Sequence, residues 1–149
     1  MTVKPIPFGY HTVTPYLFVE GAATLIEFLK QGFAAKEIRR TLHPEGSIMN
    51  AEVKIGDSVI MVSEARCEFK PTPSSIYLYV ENTDTTYDNA LKAGATSMME
   101  PNDEFWGDRH AAVKDPNGNY WWIATHQEDV SSEEIEQRIK VLFGSKEQV

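Results

Sequence analysis

From His11 to Gly21, "HTVTPYLFVEG", side chains alternate in steps of two, with Val13, Leu17 and Val19 on one side and Thr12, Thr14, Tyr16 and Phe18 on the other. That period predicts a strand. The next stretch, "AATLIEFLKQGF", changes period: Ala22, Leu25, Ile26, Leu29 and Phe33 fall on one helical stripe, with Gly32 read as its stop. Three more strands follow in "KEIRRTLH", "SIMNAEVKI" and "SVIMVSE", the last two joined by the turn Gly56-Asp57. Residues 10–65 thus read as one β-α-β-β-β module.

The proline-bearing stretch "FKPTPSS" marks a linker over residues 66–73, after which the order begins again. "SSIYLYVEN" alternates as a strand, "TDTTYDNALKAGA" reads as a helix opened by a Thr or Asp cap and ended near Gly94, and "TSMME", "RHAAVKD" and "NYWWIATH" supply three strands. The last of these follows the turn Pro116-Asn117-Gly118. Identities recur at nearly constant offset: Val19-Glu20 with Val80-Glu81 (80 − 19 = 61), Gly32 with Gly94 (94 − 32 = 62), and "AEVK" at Ala51 with "AAVK" at Ala111 (111 − 51 = 60). Residues 74–127 therefore read as a second copy of the module. A helix over 130–144, capped at Ser131 or Ser132 and striped by Ile135, Ile139 and Leu142, is expected to pack on the body or on a partner subunit. The expectation is one α+β domain over 1–149.

Composition narrows what such a domain can do. Of 149 residues 42% are apolar and 24% charged, the balance of an ordinary globular protein. The net charge of −8 and the scatter of the basic residues (Arg39, Arg40, Arg109, Arg138, Lys140) argue against nucleic acid, which needs clustered cations. The single cysteine, Cys67, has no intrachain partner and is read as an incidental loop thiol. Without an apolar run of membrane-spanning length or a leading signal-type segment, the expected setting is the cytoplasm and no membrane partner is expected.

The paired modules, the turn "DPNG", and the segments "YHTVTPYLFVEG", "AEVKIGDSVIMV", "LYVEN" and "FWGDRHAAVKDPNGNYWWIATH" resemble the vicinal oxygen chelate superfamily, in its PhnB-like glyoxalase/bleomycin resistance/dioxygenase branch. That resemblance implies a curved mixed sheet with a concave cup, and a homodimer in which modules from two chains complete each cup. It also implies metal ligands, usually His and Glu, on the first and fourth strands of each module. Carried onto this chain, those places fall at Thr14, Met61, Ser75 and Trp122. None is a His or a carboxylate, so no metal and no other cofactor is expected.

Strand alternation collects the residues of the cup: Thr14, Tyr16, Phe18, Met61, Ser63, Ser75, Tyr77, Tyr79, Tyr120 and Trp122. Such an aromatic surface with a few hydroxyls suits a planar or amphipathic small molecule. The stretch "EFWGDR" adds Trp106, Asp108 and Arg109, which either meet a ligand or, in the case of Asp108 and Arg109, pair with each other to fix a hairpin. Three readings follow. The first is metal-independent binding of an aromatic or amphipathic molecule, as in bleomycin-resistance proteins. The second is an isomerase, lyase or dioxygenase with a displaced metal or with Asp108, His110 or Glu52 as acid or base. The third is a structural protein with a filled cup.

Overall fold

A computed structural model describes residues 2–144. The first module comprises β1 (Tyr16–Val19), α1 (Ala22–Phe33), β2 (Lys36–Leu42), β3 (Ile48–Ile55) and β4 (Ser58–Glu64). The second comprises β5 (Ser75–Tyr79), α2 (Thr83–Lys92), β6 (Thr96–Asp103), β7 (Asp108–Lys114) and β8 (Tyr120–His126), and α3 (Ser132–Phe143) follows. Each module makes a four-stranded mixed sheet, ordered β1-β4-β3-β2 and β5-β8-β7-β6, with its first and fourth strands parallel. The repeat predicted from sequence is seen in the register: Tyr16 pairs with Met61, and Tyr77 with Trp122, each residue 61 further on (77 − 16, 122 − 61).

The helices lie between the sheets. Leu25, Ile26 and Leu29 of α1 and Ala90 of α2 are buried in one apolar cluster with Leu17, Val19 and Val62 of the first sheet and Val113, Trp121 and Ile123 of the second. The layers therefore run sheet, helix, helix, sheet, and no strand of one sheet comes within 8 Å of a strand of the other between Cα atoms. The second face of each sheet, which carries Tyr16 and Phe18 in one module and Tyr77 and Tyr79 in the other, is turned outward.

Several local features differ from the sequence reading, each for an identifiable reason. β1 begins at Tyr16, not near Thr12, because Pro15 has no N–H for the ladder; its carbonyl still accepts from Met61 N, and Val13 is left in the open. Gly32 does not stop α1. It lies inside the helix, where a Cβ would sit 3.4 Å from Ala90 Cα, so it permits the close crossing with α2 while Ala34 (φ 55°) ends the helix. Asn82, rather than Thr or Asp, caps α2 by accepting from Thr85 N. β6 runs through Pro101 to Asp103 because it is an edge strand, where a missing N–H costs little, and its pairing with β7 shifts register on either side of Met99. The cap of α3 is Ser131, accepting from Glu134 N, yet the helix has no buried residue. It is held to the body through Arg138, which donates to Phe105 O and pairs with Glu128.

Asp115 explains the turn before β8. One carboxylate oxygen accepts from Asn117 N and Asn119 N, and the other from Asn119 Nδ2 and from the Trp121 indole at 2.7 Å. The turn and the buried Trp121 are thus fixed by one side chain, which leaves Trp122 on the opposite, outward face.

Candidate functional site

The outward face of the second sheet is organised around Asp108, the first residue of β7, which is only 1% exposed. Its Oδ2 accepts from the hydroxyls of Tyr77 (2.9 Å) and Tyr79 (3.0 Å) and from the Trp106 indole (3.0 Å). Its Oδ1 meets His126 Nδ1 at 2.8 Å, and His126 Nε2 meets Asp129 at 2.7 Å. Burial alone would raise the Asp108 pKa, but the hydrogen bonds from His126, Tyr77, Trp106 and Tyr79 outweigh it and hold the carboxyl below its ordinary value. His126 is shifted upward by its bonds to Asp129 and then Asp108. Tyr77 is raised by burial and by its bond to the Asp108 carboxylate, and Tyr79 by the same causes.

Beside this hub stands His110, also buried, whose Nε2 lies 3.1 Å from Glu104 Oε1 and whose Nδ1 lies 3.4 Å from the Tyr77 hydroxyl. Its ring meets Trp106 edge to face, at 4.9 Å between centroids, and Trp122 at 5.6 Å. The Trp122 indole donates to Ser75 Oγ at 3.0 Å. Every polar tip of this aromatic wall (Tyr77, Tyr79, Trp106, Trp122) is therefore used within the protein, which fixes the rings and leaves their faces to solvent or to a ligand.

Gly107 makes the approach of Trp106 and Asp108 possible. Its φ is +105°, a Cβ there would lie 2.2 Å from Glu128 O, and its own carbonyl accepts from Gln127 N and Glu128 N. The segment after β8 can thus close over the hairpin and bring Asp129 to His126.

The first sheet carries a second aromatic surface. Tyr16 stacks on Phe18 (4.5 Å) and Phe18 on Phe69 (5.6 Å), while the Tyr16 hydroxyl is 2.7 Å from Ser63 Oγ. Phe69 comes from the expected linker, which docks on β1 through Thr72 N to Phe18 O. The result is a cavity of about 490 Å³ lined by Tyr16, Phe18, His43, Met49, Ser63 and Phe69, among others. A larger space, about 1140 Å³, runs between the two modules along β5, from Val59, Phe33 and Ile76 to Tyr77, Tyr79 and His126 at the edge of the second aromatic face.

The structure groups the sequence candidates into separate sets. Ser75, Tyr77, Tyr79, Trp106, Asp108, His110 and Trp122 share the second face, and Tyr16, Phe18, Met61 and Ser63 share the first. Thr14 precedes β1, outside both sheets. Tyr120 lies at the opposite end of β8 from His126, under Lys114 Nζ at 5.8 Å. Arg109 points to the reverse face, where it forms a two-pronged pair with Asp84 (2.8 and 2.9 Å) and reaches Asp103. The alternative of an Asp108–Arg109 pair is overturned, because adjacent residues of one strand project to opposite faces. Glu52 is on the first sheet, bonded by the Tyr10 hydroxyl, so of the three acid or base candidates only Asp108 and His110 come together, both touching Tyr77.

His126 was missed as a site residue, although a signal existed: a hairpin centred on Asn117 places Asp108 and His126, nine residues to either side, directly opposite each other, as the register shows. Glu104 and Phe69 carried no comparable pattern, because each comes from a loop.

The first-strand places carried over for metal ligands were Thr14 and Ser75; the parallel register instead sets Tyr16 across from Met61 and Tyr77 across from Trp122. In either alignment the donors are hydroxyls, a thioether and an indole, a set that does not fit a divalent cation. Among the described residues no three His, Cys, Asp or Glu side chains are gathered where they could hold one. Nor is any described helix long and apolar enough to cross a membrane.

Known proteins place this architecture. The chain is 32% identical over 135 residues to a protein of Mycobacterium bovis described only as uncharacterized, covering 83% of this chain and 89% of that one. A Mycobacterium tuberculosis counterpart matches at the same identity, over 83% and 79%. Among solved structures, TioX from Micromonospora superimposes with a TM-score of 0.63 at 20% identity, over 76% of this chain and 98% of TioX. A protein of Bacillus cereus titled a putative 3-demethylubiquinone-9 3-methyltransferase, PhnB protein, does so with 0.61 at 18%, over 77% and 99%. At these identities the structural likeness speaks for the fold alone. The sequence profile of one superfamily matches residues 10–123, and on that match the chain belongs to the Glyoxalase/Bleomycin resistance protein/Dioxygenase superfamily.

Proposed function

We propose that this protein is a cytoplasmic homodimer that binds a small aromatic or amphipathic organic molecule without a metal, in cups formed by the outward face of the first sheet of one protomer and that of the second sheet of its partner. The observation that carries this reading is the tying of all four polar tips of the second face to Asp108 and Ser75. Rings held in that way lose little further freedom when a ligand stacks on them, which favours binding of flat apolar surface. The hydroxyls of Tyr16 and Ser63 and the faces of Phe18 and Phe69 supply the opposite wall. Met61, Trp122, Ser75 and its register partner Tyr120 line the floor; Arg109 lies outside it, held by Asp84.

Pairing of modules between chains is supported by the layer order. Within one chain the aromatic faces are turned away from each other across the helices, which favours completion of each cup by a second chain. Tyr79 remains 65% exposed, Phe69 56% and Met49 44%, an apolar surface of the kind that partner subunits cover. The test is titration of demetallated protein with flat amphipathic compounds, followed by tryptophan emission and by mass analysis of the recovered compound. Saturable quenching with the compound unchanged supports binding; conversion of the compound supports an enzyme.

The enzyme reading has one observation of its own. Glu104, His110 and the Tyr77 hydroxyl form a line of carboxylate, imidazole and phenol at 3.1 and 3.4 Å. An imidazole backed by a carboxylate can take a proton from a molecule in the cup through Tyr77 once that hydroxyl turns its one O–H from Asp108 to His110 Nδ1. His110→Ala that binds the compound but no longer converts it would establish that role.

A further inference from the structure

The segment before β1 is unlike the rest of the chain. Residues 2–10 read "TVKPIPFGY" and carry one charge, Lys4, with no acidic residue before Glu20, although the whole chain has a net charge of −8. Their apolar side chains are bare: Val3 is 91% exposed and Phe8 fully exposed. Pro5 and Pro7 fix two φ angles of the segment, and a turn over residues 7–10, closed by Tyr10 N donating to Pro7 O with Gly9 at φ +85°, sets Phe8 at its corner, so ordering it on a surface costs little further entropy.

The arm is anchored at a definite place. The Tyr10 hydroxyl donates to Glu52, and Asn50, on the same side of β3, donates to Tyr16; burial and that carboxylate push the Tyr10 pKa up to about 12. Tyr10 therefore sits on the outward face of the first sheet, and residues 3–9 leave from the rim of the cup. Phe8 stands two residues beyond this anchor, a backbone reach of up to about 7 Å to which its side chain adds, against a spacing of about 10 Å between facing sheets.

We infer that residues 3–9 of one protomer dock on the aromatic wall of the partner's second sheet, with Phe8 against the faces of the partner's Trp106 and the partner's Trp122, closing one side of the cup. Proline and phenylalanine rings stack well on tryptophan and tyrosine faces whose polar tips are already occupied. Charge is complementary: the arm is cationic, and the receiving wall is edged by Glu104 and Asp129, while Arg109 is turned to the reverse face and engaged by Asp84 and Asp103. The arm thereby limits how large a ligand the cup admits. This inference rests on the proposed pairing of modules between chains.

The test places the photoreactive analogue benzoylphenylalanine at position 8 of the full chain, with sedimentation run in parallel. The expected result is a covalent species of twice the chain mass, whose cross-linked peptides contain Trp106 or Trp122. A protein that sediments as a dimer but cross-links only within one chain, elsewhere on the partner, or not at all overturns the arm alone. A monomer in sedimentation overturns both the arm and the shared cup. As a second readout, F8D is expected to shift tryptophan emission to the red and raise its quenching by acrylamide; unchanged spectra contradict the docking.

Discussion

Asp108 and His126 meet at 2.8 Å across β7 and β8, the carboxylate 1% exposed and the imidazole 50% exposed. One end of the bond is thus locked beneath the aromatic wall, and the other can exchange protons with solvent. The signs of the two shifts set the pH behaviour. His126 is raised, so its contribution to stability is full below its unfolded value of about 6.5 and is lost as pH rises through the raised folded value. Asp108 is lowered, so its contribution is present above about 3.9 and is lost as pH falls through the lower folded value. Stability is expected to peak between these limits. Thermal melts across pH should show His126→Gln with a flatter alkaline limb than the parent; superimposable limbs would rule the linkage out.

Replacing Asp108 by Asn removes the charge that four donors share, and the variant is expected to be destabilised by about 2–3 kcal/mol. Tyr77→Phe removes a single donor and should cost about 1 kcal/mol. Urea unfolding orders the two; equal midpoints would mean that Asp108 does not hold the wall.

Gly107 and Gly46 have nearly the same φ, +105° and +101°, but only Gly107 has backbone in the way, at 2.2 Å, while nothing lies within 4 Å of a Cβ at Gly46. Both Ala substitutions carry backbone strain of about 1–3 kcal/mol. Gly107→Ala is expected to lose about 1 kcal/mol or more beyond Gly46→Ala, because Glu128 must move. Chemical denaturation of the pair isolates the contact, and equal losses would show that the closing segment yields freely.

Arg109→Ala separates the two faces of β7. It removes a surface ion pair, with an expected stability change of at most about 1 kcal/mol, and it should leave ligand affinity unchanged. Trp122→Phe, on the face proposed to meet the ligand, is expected to weaken binding while the melting temperature holds. A loss of affinity in Arg109→Ala would place the site on the wrong side of the sheet.

The fold was legible because period and turn chemistry agree along most of the chain. The change from two-residue to helical spacing at Ala22, and the "DPNG" turn that sets Asp108 opposite His126, are local signals that the tertiary structure leaves intact. The candidate site was legible only where strand alternation decides which face a side chain takes, as for Tyr77, Tyr79 and Trp122. It was hidden where a side chain arrives from a loop, as with Phe69 and Glu104, or where a choice depends on a distant partner. Arg109 is such a case: nothing adjacent in sequence reveals that Asp84, on α2, takes its guanidinium. Gly32 was misread because a glycine that ends a helix and one that admits a neighbouring helix look alike until Ala90 is in place.

The most direct measurement is a ligand titration of demetallated parent protein and Trp122→Phe, read by tryptophan emission against a panel of flat amphipathic aromatic compounds. At least one compound is expected to quench the parent saturably, one per cup, with weaker binding by the variant and the compound recovered unchanged. Quenching that appears only after a divalent metal is restored, or no saturable response from any compound, would contradict a metal-independent binding site on the aromatic wall.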